Sequence, residues 1–332
     1  MLDFSTIIPH ERRPIFLVDA QIYRLYPELF SDNPCIRISA EENRKSWDTA
    51  GGIIADLVEI GADRDAFLIG VGGGMVTDLC GFVASVFKRG VEFAFVPTTL
   101  LAMVDASVGG KNGVNWGIYK NVVGTFTQPT KIVRDLEFLR TLPEREFYSG
   151  LAEMLKVFML FDEASYHRTV RMFAGRPDPQ LVLEREWTAF AELVERAVAL
   201  KEKVVREDER EKDMRRLLNF GHTVGHALEM LEARGTWSHG EAVACGIAVI
   251  LKLSTRYGLS EGVLEGLLSD LRSLGYATEF RTRVDRLMVA IRHDKKKFAM
   301  DQVRVVFLRD LGWPCIEEIS LKQMEEMLYD LH

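Results

Sequence analysis

The sequence is short of positive charge. Its 42 lysines and arginines face 49 aspartates and glutamates, for a net charge of −7. A general nucleic-acid binder shows a basic footprint instead, although a small, locally basic pocket stays compatible with this balance. Long apolar runs are missing too. No stretch approaches the roughly 20 apolar residues that span a bilayer. The opening MLDFSTIIPHERRPIFLVDA lacks the apolar run of a signal peptide. Cysteine is scarce: Cys35, Cys80, Cys245 and Cys315 are scattered, with no C-x-x-C, as expected of reduced cytoplasmic thiols rather than a disulfide framework. There is no internal repeat and no low-complexity tract. Histidines number seven, yet His222, His226 and His239 all fall within GHTVGHALEMLEARGTWSHGE at 221–241.

What is present is a soluble globular composition, 47% hydrophobic and 27% charged, in a length that holds one large domain or two ordinary ones. Up to residue 145 the chain alternates strand and helix signals. PIFLVD (14–19), CIRIS (35–39), AFLIGV (66–71), FAFV (93–96) and KIVRD (131–135) read as short strands, and MVTDLCGFVASVF as a helix. This is the grammar of a Rossmann-like parallel sheet with crossover helices. From 146 to 332 apolar residues recur at helical spacing over 145–161, 188–207, 214–232, 240–257 and 261–274. GRPDP at 175–179 reads as a loop, QVRVVFL and CIEEIS as a small ribbon, and Ser320 with Gln323 as a capping box for a last helix. The expected fold is an α/β domain over 1–145 followed by a mainly α-helical domain over 146–332.

Three groups of residues carry chemistry. Gly72-Gly73-Gly74 lies between a strand and a helix, where backbone N–H groups attract phosphate and glycines allow close approach. The dinucleotide fingerprint G-x-G-x-x-G is incomplete, because Met75 occupies the place of its last glycine. Second, His222 and His226 are four apart and share a helical face, and His239 can return beside them after a turn at 235–237. Three imidazoles, or two plus a carboxylate, with one open position form a catalytic zinc pattern. Glu153, Glu229 and Glu241 are all candidates for the carboxylate. Third, DASVGGKNGVNWGIYKN at 105–121 is rich in glycine and polar groups, and its Lys111, Lys120 and Asn121 suit an anion or a polyol. Lys156 lies one turn after Glu153, and Arg215 precedes Asn219 and His222 at helical spacing. KEKVVREDEREK at 201–212 reads as a mostly solvated charged run.

Together these pieces resemble the 3-dehydroquinate synthase family of sugar phosphate cyclases. The matching segments, in the family's order, are GGGMVTDLCGFVAS, FKRG, VPTTLLAMVDASVGGKNGVN, KN at 120–121, TLPEREFYSGLAEMLK, KVVREDER, RRLLNFGHTVGHALE, SHGEAVACG and DKK at 294–296. The resemblance implies a dehydroquinate synthase-like fold, NAD, a zinc or cobalt ion, and a lyase of the shikimate pathway to aromatic amino acids. It implies a cytoplasmic homodimer with a sugar-acid phosphate substrate and no nucleic-acid or membrane partner. It places metal ligands at Glu153, His222 and His239. The substrate set would be Asp105, Lys111, Asn121, Lys156, Lys201, Arg215, Asn219, His226 and Lys295 or Lys296, with Lys111, Lys156, His226, Asn121 and Arg215 at the reacting centre. Arg89 would reach the substrate phosphate of a neighbouring subunit. NAD would lie against Gly73, Gly74, Asp78, Thr98, Thr99, Asp105 and Lys120, with Glu42 and Lys45 on the adenosine side. Thr77, Asn112 and Tyr119 depart from the family's usual Gly, Thr and Gly. Cyclases that make inosose or valiolone rings tend to lack the lysine of SVGGK, which is Lys111 here. Polyol dehydrogenases of related fold show PTTAGTGSE where this chain has PTTLLAMVDASVGG.

Overall fold

The computed structural model describes residues 4–31, 33–117, 119–231, 236–295 and 301–331. The chain divides into two compact units, Met1–Leu142 and Pro143–His332.

The first unit is built on β1 (Arg13–Asp19), β2 (Cys35–Ile38), β3 (Ala66–Gly72), β4 (Glu92–Pro97) and β7 (Lys131–Ile132), in the order β2-β1-β3-β4-β7. Every pairing is parallel. All seven residues of β3 are buried, which explains why AFLIGV reads as a continuous apolar run rather than an alternating one: a central parallel strand is covered on both faces. Helices α1 (Ala20–Leu25), α2 (Trp47–Glu59) and α3 (Gly74–Val86) follow β1, β2 and β3. No predicted segment corresponds to α2, whose Gly51-Gly52 dilutes its apolar period. Its start is fixed by Ser46, whose hydroxyl accepts from the Thr49 N–H. Strand β7 is shorter than the predicted 131–135, because Asp135 already caps a 3-10 helix over Leu136–Thr141. Between β4 and β7 the glycine-rich stretch forms an antiparallel ribbon of β5 (Lys111–Trp116) and β6 (Tyr119–Phe126).

The second unit contains α4 (Glu144–Phe161), α5 (Glu163–Phe173), α6 (Pro179–Glu207), α7 (His222–Leu231), α8 (His239–Ser254), α9 (Glu261–Ser273) and α10 (Val284–Lys295). A ribbon of β8 (Gln302–Asp310) and β9 (Trp313–Ser320) and a last helix α11 (Leu321–Tyr329) follow. Helices α4 and α8 form its centre. Every residue of α4 from Phe147 to Leu160 is buried, polar Ser149, Glu153 and Lys156 included, as is nearly all of α8. Helix α6 begins at Pro179, where Asp178 accepts from the Gln180 N–H and proline suits a first helical position. Glu186 (φ −119°, ψ 22°) kinks it, so the helix expected from 188 is its second segment. The helix expected over 214–232 is two: a 3-10 helix over Met214–Asn219 and then α7. The break falls at Gly221, whose φ of +78° leaves the right-handed region. Arg215 and Asn219 therefore do not share a continuous helix with His222. Ser320 and Gln323 form the predicted capping box. Among the described residues, no helix is long and apolar enough to cross a membrane.

Candidate functional site

In the second unit, absent side chains decide where the histidines go. Helix α7 crosses α8 at glycines: a Cβ on Gly246 would lie 2.1 Å from the Gly221 carbonyl oxygen, and one on Gly225 would lie 3.0 Å from Val243 Cα. The start of α8 meets α4 in the same way. Ser238 and Glu241 form a reciprocal capping box around His239 and Gly240. The Gly240 N–H donates to Ser149 Oγ at 3.0 Å, and a Cβ there would sit 2.0 Å from the Ser149 carbonyl oxygen. SHGE thus seats an imidazole at the first turn of α8, one turn along α4 from Ser149 and beside Glu153.

Glu153 Oε1 lies 3.6 Å from His222 Nε2 and 3.4 Å from His239 Nε2. A tetrahedral ion with bonds of about 2.0–2.1 Å holds its ligands about 3.3 Å apart, so the spacing fits one. Glu153 is fully buried, and neither of its oxygens has a hydrogen-bond partner. Lys156 Nζ approaches Oε2 to 2.5 Å, but off the hydrogen-bonding angle. Lys156 supplies counter-charge on the Oε2 side, and buried Oε1, which faces the two imidazoles without a hydrogen bond, is satisfied if a second cation lies there. The His222 Nδ1 lies 3.1 Å from the Phe220 carbonyl. If Nδ1 carries the proton, Nε2 keeps its lone pair toward Glu153. His226, one turn along α7, has its ring 5.1 Å from that of His222 and 5.9 Å from that of His239.

The charges compete. Burial would raise Glu153, but Lys156, His222 and His239 outweigh it and hold the carboxyl well below its usual value. Burial and then Lys156 keep His222 well below the usual imidazole value, the neutral form that ligates. For His239, burial is overcome by the adjacent carboxylates of Glu153 and Glu229, which push it up to about 10.

Lys201 and Arg215 are buried cations. Arg215 is held by a loop that the sequence presents as solvated charge. Asp208 Oδ1 accepts from Lys212 N, and its Oδ2 from Asp213 N and Arg215 N, at 2.7–3.1 Å. Arg215 Nη1 donates to the Glu209 carbonyl, and Asn219 Nδ2 to Glu211 Oε1, each at 2.5 Å. Asp208, Glu209 and Glu211 are thus positioning groups that charge patterning hides, since their hydrogen bonds depend on a loop with no period. The side chain of Lys295 and all of Lys296 lie outside the described residues.

In the first unit, Gly73 caps α3 without a side-chain hydrogen bond. A Cβ on Gly73 would meet Thr99 at 3.1 Å, and one on Gly74 would meet Ala106 at 3.0 Å. The end of β4, with Thr98 and Thr99, and the π-helical turn Ala102–Ala106, which carries Asp105, therefore close tightly on a helix N-terminus. This is a cradle for an anion. Beside it, buried Lys45 donates to Asp78 and, at 2.6 Å, to Asn121 Oδ1. The Asn121 N–H donates to Asn115 Oδ1, and Asn115 Nδ2 donates to Glu42 Oε1. Glu42 and Lys45, expected as a pair, are linked through these two asparagines. Burial raises Asp78, and Lys45 offsets only part of that.

Lys111 and Lys120 lie exposed on the ribbon. Asn112 is buried, and its amide donates to the carbonyls of Gly110 and Thr127. It fits because Gly81 leaves it room, a Cβ there falling 2.0 Å from Asn112 Oδ1. Arg89 is exposed in a run of left-handed residues, with φ of 51°, 71° and 115° at Lys88, Arg89 and Gly90.

Two family models cover most of the chain: 3-dehydroquinate synthase N-terminal matches residues 35–149 and 3-dehydroquinate synthase C-terminal matches residues 150–297. The chain belongs to the 3-dehydroquinate synthase family. It is 35% identical to the 3-dehydroquinate synthase of Dictyoglomus thermophilum, over 93% of this chain and 83% of that one. It is 37% identical to that of Thermodesulfovibrio yellowstonii, over 88% and 81%. Among solved structures, 2-epi-5-epi-valiolone synthase from Streptomyces hygroscopicus subsp. jinggangensis, with NAD+ and Zn2+ bound, superposes with a TM-score of 0.86 at 28% identity, over 97% of this chain and 91% of that one. A probable glycerol dehydrogenase from Sinorhizobium meliloti, at 17% identity and a TM-score of 0.65 over 98% and 92%, shares the fold alone.

Proposed function

We propose that this chain converts 3-deoxy-arabino-heptulosonate 7-phosphate to 3-dehydroquinate and free phosphate, using NAD and one divalent metal ion. The observation that carries the reading is the cluster of buried Glu153 with half-buried His222 and His239, and Lys156 against it, in a chain of this family. The reaction expels phosphate and closes a carbon ring without net oxidation. When bound, NAD supplies a reversible hydride acceptor, and the metal supplies Lewis-acid polarisation of reacting oxygens.

The chain's own residues bind and orient. In the second unit we assign the metal to Glu153, His222 and His239, and the substrate to Lys156, Lys201, Arg215, Asn219 and His226. Buried, hydrogen-bonded cations suit the carboxylate and phosphate of such a substrate. In the first unit we assign NAD to Gly73, Gly74, Asp78, Thr98, Thr99, Asp105 and Lys120, with Glu42 and Lys45 beside them, and the substrate to Asp105, Lys111 and Asn121. The two units thereby take the roles of a cofactor domain over 1–145 and a metal- and substrate-binding domain over 146–332. We assign Arg89 to the substrate phosphate of a second copy in a homodimer. Its strained backbone supports this, because such conformations persist where function needs them. Exposed Val122 and Phe126, on one side of β6, also suit burial against another chain. We place the protein in the cytoplasm, where its four unpaired cysteines stay reduced.

A phosphate-release assay tests the reading. The seven-carbon acid phosphate should be turned over with no accumulation of NADH, and sedoheptulose 7-phosphate and glucose 6-phosphate should not. Turnover of either of these sugar phosphates, which lack the carboxylate, would move the chain to another cyclase, and steady NADH build-up would make it a dehydrogenase.

A further inference from the structure

Two sets of three metal-capable side chains share one imidazole. Glu153, His222 and His239 form the first, and His226, Glu229 and His239 the second. His239 uses a different nitrogen toward each: Nε2 lies 3.4 Å from Glu153 Oε1, and Nδ1 lies 3.4 Å from Glu229 Oε2. Glu229 reaches it because it stands seven residues after His222 and three after His226, so all three lie on one face of α7. Its side chain is only 11% exposed. The other acidic candidate near His239 is diverted. Glu241 accepts from Ser238 N at 2.7 Å and from Arg145 Nη2 at 2.8 Å.

We propose that Glu229 is the positioning carboxylate of His239: it accepts a hydrogen bond from Nδ1–H, and so aims the Nε2 lone pair at the metal site centred on Glu153. A ligating imidazole is generally held by a hydrogen bond from its other nitrogen, which fixes both tautomer and ring plane. His222 has a backbone carbonyl for this purpose, Phe220 O at 3.1 Å. For His239 the recorded partner of Nδ1 is a side chain instead, Glu229 Oε2 at 3.4 Å. A carboxylate is the stronger acceptor and makes the imidazole the better donor to a metal. Glu229 touches neither substrate nor metal in this arrangement and acts through His239.

The inference rests on the proposed metal site, and the test separates the two. Zinc affinity is measured by chelator competition, and the visible spectrum of the cobalt-substituted protein reports ligand geometry. Glu229→Ala should weaken zinc binding about 10–100-fold and alter the cobalt spectrum, while the metal-free protein melts as the parent does. Glu229→Gln, which keeps an acceptor oxygen but not the charge, should fall between. Glu153→Ala and His222→Ala should lose zinc outright. If those two bind zinc poorly while Glu229→Ala stays within about twofold of the parent, the positioning role is wrong and the metal site stands. If Glu153→Ala retains zinc while Glu229→Ala and His226→Ala lose it, the ion sits in the second set and both readings fall.

Discussion

Replacing Gly240 by alanine adds one methyl group where α8 begins against α4. That Cβ would lie 2.0 Å from the Ser149 carbonyl oxygen and 2.6 Å from Ser149 C and Cα, all backbone atoms of a buried helix. An ordinary contact begins near 3.4 Å, so the helix start must retreat by about 1.4 Å. Nothing flexible yields in its place, because no side-chain end is among the clashing atoms. His239 is the neighbouring residue and moves with it. Metal–ligand bonds tolerate about 0.2 Å, so a shift several times larger removes His239 from a shared ion. Overpacking of this kind costs about 3 kcal/mol. At about 2–4 °C per kcal/mol for a unit of this size, the second unit should melt about 6–12 °C lower. Zinc affinity, read by chelator competition, should fall at least tenfold. Gly262→Ala is the control. It lies on α9 with nothing within 4 Å of the added carbon, and should gain about 0.5–1 kcal/mol from helix propensity. Parental zinc affinity and melting in Gly240→Ala would refute the idea that close helix contact seats the histidine.

Further outcomes follow from the same geometry. The purified protein should hold about one zinc per chain; His222→Ala should lose both metal and activity, whereas His226→Ala should keep metal and lose activity, and zinc loss from His226→Ala would reverse that division. Lys111→Ala should abolish turnover without shifting the melting midpoint, since the side chain is exposed; near-normal turnover would remove Lys111 from the substrate set. Asp208 accepts hydrogen bonds from three backbone N–H groups, which, together with Arg215, hold its carboxyl below the usual 3.8. Its folded-state value is depressed, so its contribution is complete above about pH 3.8 and is lost as pH falls through the lower folded value. Asp208→Asn keeps only one carboxylate-like oxygen for two sets of donors, so it should raise KM for the sugar-acid phosphate at neutral pH; an unchanged KM would separate this loop from Arg215.

Local pattern carried the strands of the parallel sheet, the last ribbon and the outlines of most helices, because burial on a helix stripe or a sheet face imposes a period on the chain itself. The glycine-rich ribbon of β5 and β6 has little such period and was not legible. AFLIGV, the glycine loop after it and the repeated apolar stripe of residues 145–161 needed nothing beyond that. Boundaries were less legible where one residue overrules the period, as Gly221 does in dividing the stretch 214–232 and Asp178 does in starting a helical segment ahead of the kink at Glu186. Asn112 looked like a departure at an anion loop, yet it is a buried clamp on the ribbon, made possible by a glycine on another element.

The sequence by itself determined that His222 and His226 share a helical face and that the chain resembles a particular enzyme family. It left Glu153, Glu229 and Glu241 equal as partners for the histidines, because helical periodicity reports which side of a helix a residue occupies and not what lies opposite. Tertiary packing separated them. Helix α4 brings Glu153 to Nε2 of both His222 and His239, α7 turns Glu229 to the other nitrogen of His239, and the capping box with Arg145 draws Glu241 away. The distinction comes from glycines that let three helices touch backbone to backbone, and a missing Cβ acquires meaning only when the surface facing it is in place.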